Sequence, residues 1–166
     1  MSTFEVAQLN VGRAVAPLDD AVMADFMGWL DEINALAERS PGFVWRLKGD
    51  SGNNTDLKVG DDPLFIVNLS VWTSIDALYE FTYRSAHTSV FKRRLEWFER
   101  LGRPNTVLWW LPAGTIPTAT EALARLEALT TRGPTREAFT FKERFLAPDA
   151  VAGSAVARSP VTPRAS

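Results

Sequence analysis

The sequence predicts an α+β domain in which one sheet carries helices on a single side. Three observations support this. Residues 4–11 and 64–72 alternate between an apolar set of side chains and a set rich in amides, hydroxyls and aromatics, which is the period of a strand. The stretches that follow them repeat apolar residues every three or four positions, the period of a helix. The elements run in the order strand, helix, strand, strand, helix, strand, which is the ferredoxin-like βαββαβ unit, with an added C-terminal helix and strand.

Each element has its own justification. In FEVAQLNV (4–11), Phe4, Val6, Gln8 and Asn10 share one face and Glu5, Ala7, Leu9 and Val11 the other. Asp19 and Asp20 follow Pro17 and suit a helix N-cap. The helix they open runs to about Arg39 on Val22, Met23, Phe26, Met27, Leu30, Ile33 and Ala37, and Ser40-Pro41-Gly42 stops it. FVWRLK (43–48) reads as a short strand with Phe43, Trp45 and Leu47 on one face.

Residues 49–63 are rich in Gly, Asp and Asn and read as a long mobile connection. Asp56, Asp61 and Asp62 there lack calcium-loop spacing and read as solvated turn residues. LFIVNLSVW (64–72) is the clearest strand. Phe65, Val67, Leu69 and Val71 make an apolar face suited to packing under helices, and Leu64, Ile66, Asn68, Ser70 and Trp72 lie opposite.

Thr73 and Asp76 have capping-box spacing at the start of a helical region that runs to about Arg100 with a break at 84–86; Gly102 and Pro104 close it. TVLWWL (106–111) is the fourth strand. Thr118 and Glu121 form a second capping box ahead of a helix striped by Leu123, Leu126 and Leu129, which Gly133-Pro134 ends. FTFKERF (139–145) alternates like an added edge strand or an arm laid on a partner. The domain is expected to span 1–146, with 147–166 a disordered tail.

Bulk properties exclude several classes. A 166-residue chain with 46% hydrophobic and 23% charged residues can bury one substantial core. Its net charge of −2 argues against a nucleic-acid surface. Without cysteine there is no disulfide, thiolate nucleophile or zinc–thiolate site. No apolar run is long enough to span a bilayer and no signal pattern opens the chain, so a cytoplasmic location and no membrane partner are expected. Six Trp and ten Phe, by contrast, call for an interface or a ligand pocket as well as a core.

Two strands with Gln8, Asn10, Asn68 and Ser70 on one face suggest a sheet side that lines a cavity or an interface, since a solvated side would favour Lys, Glu and Thr. If two such sheets met face to face, their polar-aromatic sides would enclose that cavity in a homodimer.

PGFVWRL (41–47), YRSAH (83–87), RRLEWF (93–98) and VLWWLPAG (107–114) resemble the DUF3291 family, with the likeness covering roughly residues 4–146. That family is assigned to the dimeric α+β barrel superfamily. The resemblance implies the barrel fold and a pocket between sheet and helices. It fixes no activity, since the wider superfamily includes cofactor-free monooxygenases, isomerases, cyclases and haem proteins.

The candidate site centres on the single histidine, His87. On a continuous helix Tyr83, His87 and Phe91 would share one stripe. His87 suits neutral-pH acid–base work, and a structural histidine at a helix start is the plain alternative. Tyr83 is its expected hydrogen-bond partner. Gln8, Asn10, Asn68 and Ser70 are expected to orient a substrate, with Trp45, Trp72, Phe91 and Trp109 as walls. Arg46 is either a solvent-facing strand residue or an anion anchor, and Lys92-Arg93-Arg94 reads as a solvated helix face. The expected function is a small-molecule enzyme performing acid–base-assisted cyclisation, isomerisation or cofactor-free oxygenation of an aromatic or polycyclic intermediate. It would need no cofactor or metal. The alternatives are a haem protein with His87 as axial ligand and a non-catalytic ligand-binding dimer.

Overall fold

The computed structural model describes residues 3–49, 62–85 and 87–150, with His87 described for its backbone alone. Four strands form one antiparallel sheet: β1 (Phe4–Arg13), β2 (Phe43–Arg46), β3 (Phe65–Trp72) and β4 (Thr106–Pro112), in the order β2-β3-β1-β4. This is the ferredoxin-like order, with the two central strands joined by crossover connections to the edges. Five helices accompany it: α1 (Ala24–Glu38), α2 (Ile75–Arg84), α3 (His87–Lys92), α4 (Arg94–Trp97) and α5 (Ala119–Arg132).

Register fixes the two faces. β1 pairs with β3 as Gln8↔Ser70 and Asn10↔Asn68, and with β4 as Gln8↔Leu108 and Asn10↔Thr106. The polar residues of three strands therefore share one face, as their alternation predicts. Which layer covers that face differs from expectation. The apolar face (Ala7, Leu9, Val11, Val67, Leu69, Val71, Val107, Trp109) forms one buried cluster with Ala122, Leu126 and Leu129 of α5. The polar-aromatic face lies under the other helices, where Trp72 and Val6 pack with Ala37 of α1 and with Ile75 and Leu78 of α2. Met23, Ile66 and Trp97 close the far end with Phe26 and Phe98. The sheet is thus covered on both sides within one chain, and the polar face lies under this chain's own helices where the expectation put a second sheet. The reason lies in α5. It brings a compact stripe of Leu and Ala onto the greasier face. The earlier helices span a face that is not filled.

Local chemistry explains the helix ends. Asp20 Oδ1 accepts from Val22 N at 3.0 Å and starts the 3₁₀ turn (Ala21–Met23) that leads into α1. The cap of α2 is Ser74, one residue beyond the predicted Thr73: its hydroxyl accepts from Ala77 N at 3.1 Å. Asp76 instead faces Arg144 at 3.4 Å. The predicted break after Arg84 is present. Ser85 leaves helical geometry and its hydroxyl donates to the Phe81 carbonyl. Thr118 caps α5 as expected, accepting from Glu121 N at 3.1 Å. Gly42 adopts φ +84 where the chain passes α2, and a Cβ there would lie 2.4 Å from the Ala77 side chain.

The predicted C-terminal strand is instead a strap on the same chain. Phe139 exchanges two 2.8 Å backbone bonds with Leu108 at the β4 edge, and the ladder goes no further. Beyond it, Phe141 packs on Tyr79 and Tyr83, and the Phe145 carbonyl accepts from Trp110 Nε1 at 2.8 Å. Ala147 is buried, and Asp149 accepts from Thr3 N at 2.7 Å, so the chain is held to β1 past the expected boundary at 146. Residues 151–166 of the expected tail lie outside the described residues, as do Asp56 and Asp61. Asp62 is described and pairs with Arg13 at 2.8 Å.

Candidate functional site

Between the polar face of the sheet and helices α1 to α4 lies a cavity of about 830 Å³. The strands supply its floor through Gln8, Asn10, Asn68, Ser70 and Trp72. The helices supply aromatic walls that include Phe26, Phe81, Tyr83 and Phe91, and Phe141 of the strap adds to them. The sparse burial of α1 follows from this space. Of its 15 residues only Ala37 is buried, because the rest of its inner face looks onto the cavity and not onto packed strand side chains.

The floor holds an ordered polar relay. Trp72 Nε1 donates to Ser70 Oγ at 3.0 Å, and Ser70 Oγ donates to Gln8 Oε1 at 3.2 Å. An indole N–H can only donate, so the hydroxyl accepts from it and points its own hydrogen at the amide oxygen. Gln8 Oε1 is thereby occupied, and the amide's Nε2 edge is the one left for the cavity. A second chain runs alongside: Asn10 Nδ2 donates to Thr106 Oγ1 at 3.1 Å, and that hydroxyl donates to Asn105 Oδ1 at 3.1 Å. Asn34 Nδ2, on α1 in the cavity lining, is buried without a hydrogen-bond partner.

At the helical side, Tyr83 and Phe91 meet edge to face at 5.7 Å across the α2–α3 break. The Tyr83–Phe91 contact expected of a continuous helix is therefore made by tertiary packing even though the helix is interrupted. Burial and the neighbouring Tyr79 push the Tyr83 phenol above its ordinary range, and Arg94 partly offsets this. Tyr83 is accordingly a protonated hydrogen-bonding group at neutral pH. The His87 side chain lies outside the described residues, so neither its acid–base role nor its role as a haem ligand acquires a geometry. Among the described residues, no three His, Asp or Glu side chains gather in one place.

Two predicted wall residues lie elsewhere. Trp109 pairs with Ala7 and is buried on the α5 side, with the Arg125 guanidinium 5.9 Å from its ring. Trp45 packs against the same apolar cluster. A bulge between Phe43 and Trp45 is the cause: it adds a residue to β2, so Phe43 and Arg46 face the cavity while Trp45 turns away. Arg46 is the residue this repositions most usefully. Its side chain is only 10% exposed and its Nε lies 2.8 Å from Glu38 Oε1, which also takes Lys48 at 3.1 Å. The Glu38 carboxyl is held below its ordinary range by Lys48 and Arg46. Arg93 pairs with Glu96 and Asp25 at 2.7 and 2.8 Å, as a solvated helix face would. Phe26, Phe81 and Phe141 are wall residues not singled out in the sequence. Helical spacing marks the first two as inward-facing but does not separate a cavity wall from a packed core.

No helix among the described residues is long and apolar enough to cross a membrane. No curated protein matches the chain significantly. Among solved structures, it is similar to SnoaB, a cofactor-independent oxygenase from Streptomyces nogalater, at 22% identity over 69% of this chain and 98% of that one, with a TM-score of 0.45. It is similar to PA3566 from Pseudomonas aeruginosa at 15% identity over 69% and 98%, with a TM-score of 0.46. The ActVA-Orf6 monooxygenase of Streptomyces coelicolor, solved with nanaomycin D, is 14% identical over 70% and 95%, with a TM-score of 0.42. Likeness at this distance assigns no activity to the present chain. The family comparison is of a different order, since one family model matches residues 5–155: the chain belongs to DUF3291, a domain of unknown function.

Proposed function

We propose that this protein is a small-molecule enzyme that works on an aromatic or polycyclic intermediate inside the sheet–helix cavity, by proton transfer that drives cyclisation, isomerisation or cofactor-free oxygenation. The observation that carries the reading is the cavity itself: aromatic walls over a floor of amides and a hydroxyl already locked into a directed relay. Apolar enclosure with few oriented polar groups is what a planar metabolite needs. The Gln8 amide edge is a donor and suits a substrate carbonyl that gains negative charge as a proton leaves the adjacent carbon. Asn68, exposed on the same floor, is a second orienting group. Tyr83 serves as donor to the substrate, and His87 as the base that takes the proton and returns it. In the oxygenation variant, the enolate so formed would itself supply the electrons to oxygen. We further propose that the protein works as a homodimer. Its interface would use a surface other than the polar sheet face, and light scattering on the purified chain would report the state.

The test is incubation of the purified protein with a panel of polycyclic phenols in air and under nitrogen, with products read by mass spectrometry. An oxygen-dependent gain of oxygen marks oxygenation, and a product of unchanged mass marks isomerisation or cyclisation. Loss of either in His87→Ala and Tyr83→Phe supports the assigned roles. Unchanged turnover in both variants refutes them.

A further inference from the structure

We infer that the cavity selects an acidic ligand: a planar, largely apolar molecule bearing a carboxylate or similarly acidic oxygen group, seated against Arg94. The inference rests on the small-molecule reading above and adds the charge of the molecule bound. The cavity is lined by Arg46, Arg94, Arg100 and Lys142 against one carboxylate, Glu99. The chain as a whole is net negative, so the cationic excess is local. Neutralisation is also uneven. Glu99 is engaged by Arg13 at 2.8 Å, and Arg46 by Glu38 at the same distance.

Arg94 differs from these. Among the described residues no carboxylate lies within ion-pair distance of it. Its guanidinium instead sits 4.3 Å from the centre of the Phe91 ring, and its Nη1 donates to the Phe91 carbonyl at 3.2 Å. That geometry holds the planar fork against an aromatic wall while using one of its five donors. The same Phe91 ring meets Tyr83 edge to face. Two rings and an oriented cation thus stand together beside an apolar space, which is a site for an aromatic body with an acidic substituent. Arg94, Arg100 and Lys142 are exposed, so they stand where the cavity meets solvent, and their attraction for an acidic group weakens as salt is added.

The experiment uses the full chain and two probes of one shape, 2-naphthoate and 2-naphthamide, titrated by quenching of tryptophan fluorescence, since Trp29, Trp72 and Trp97 line the cavity. The expected result is naphthoate binding about tenfold tighter than naphthamide at low salt. In Arg94→Gln that ratio should fall to about threefold or less with naphthamide affinity unchanged, and Arg94→Lys should retain part of it. Equal affinities in the unmodified protein, or an undiminished ratio in Arg94→Gln with an unchanged melting temperature, overturn the inference while leaving the cavity reading intact. If neither probe binds, both readings fall.

Discussion

Replacing Ser70 by Ala would probe the relay on which the cavity floor depends. The hydroxyl accepts from Trp72 Nε1 and donates to Gln8 Oε1, and Trp72 is only 1% exposed. Its removal leaves a buried indole N–H without its partner and frees the Gln8 amide to rotate. A buried donor left unmade costs about 1–3 kcal/mol. The small volume lost at Ser→Ala adds little, so the expected destabilisation is about 2 kcal/mol. In a domain of this size that lowers the melting temperature by roughly 4–8 °C. Urea unfolding should show the midpoint falling with an unchanged slope. The ring of Trp72 also packs on Phe43 and Phe81, at 5.5 and 5.1 Å, so Trp72→Phe alone carries a packing cost. The decisive quantity is therefore the double-mutant coupling. Once the N–H is gone, the hydroxyl's loss should cost about 1–2 kcal/mol less. Additive single mutants, or a Ser70→Ala protein within about 0.5 kcal/mol of the parent, would show that no directed relay exists.

Other predictions follow from features of the same framework. Gly42→Ala places a Cβ 2.4 Å from Ala77 at a positive φ, and should cost about 2–4 kcal/mol in urea unfolding; an unchanged midpoint would contradict the close approach of β2 and α2. Leu126→Ala, in the α5 stripe, should cost about 2–5 kcal/mol, whereas a cost below 1 kcal/mol would mean that α5 is not seated on the sheet. For Tyr83, burial raises the phenol's folded pKa above its unfolded value. The stability this contributes is complete below the unfolded value, near pH 10, and lost as pH rises through the folded one. In a Tyr79→Phe background Tyr83 is the sole tyrosine, so Arg94→Gln should move its tyrosinate absorbance transition to higher pH. An unchanged transition would remove Arg94 from its vicinity.

Strand alternation was enough to place Gln8, Asn10, Asn68 and Ser70 on one face, because a two-residue period cannot be satisfied in any other register once one face is apolar. It was not enough to say which layer would cover that face. Hydrophobicity alone assigns the greasier side to the nearest helices, whereas α5, more than forty residues after β3, takes that side. The neighbouring helices are left over a surface they bridge without filling. The bulge in β2 was equally hidden, since Phe43, Val44 and Trp45, where the register shifts, include no glycine or proline to signal it. Tyr83 and Phe91 were correctly paired by spacing, although packing across a break, not one continuous helix, brings their rings together.

The seating of α5 also bears on synthesis. A ribosome that has released residues 1–114 has delivered every strand and every cavity helix, yet Val67, Leu69, Val71, Val107 and Trp109 still lack their cover. At that moment the nascent chain presents a broad greasy sheet to solvent, the kind of surface that chaperones hold and that aggregates form upon. A transcript truncated before Thr118 should therefore yield inclusion bodies, and supplying residues 115–150 as a separate polypeptide should return part of it to solution.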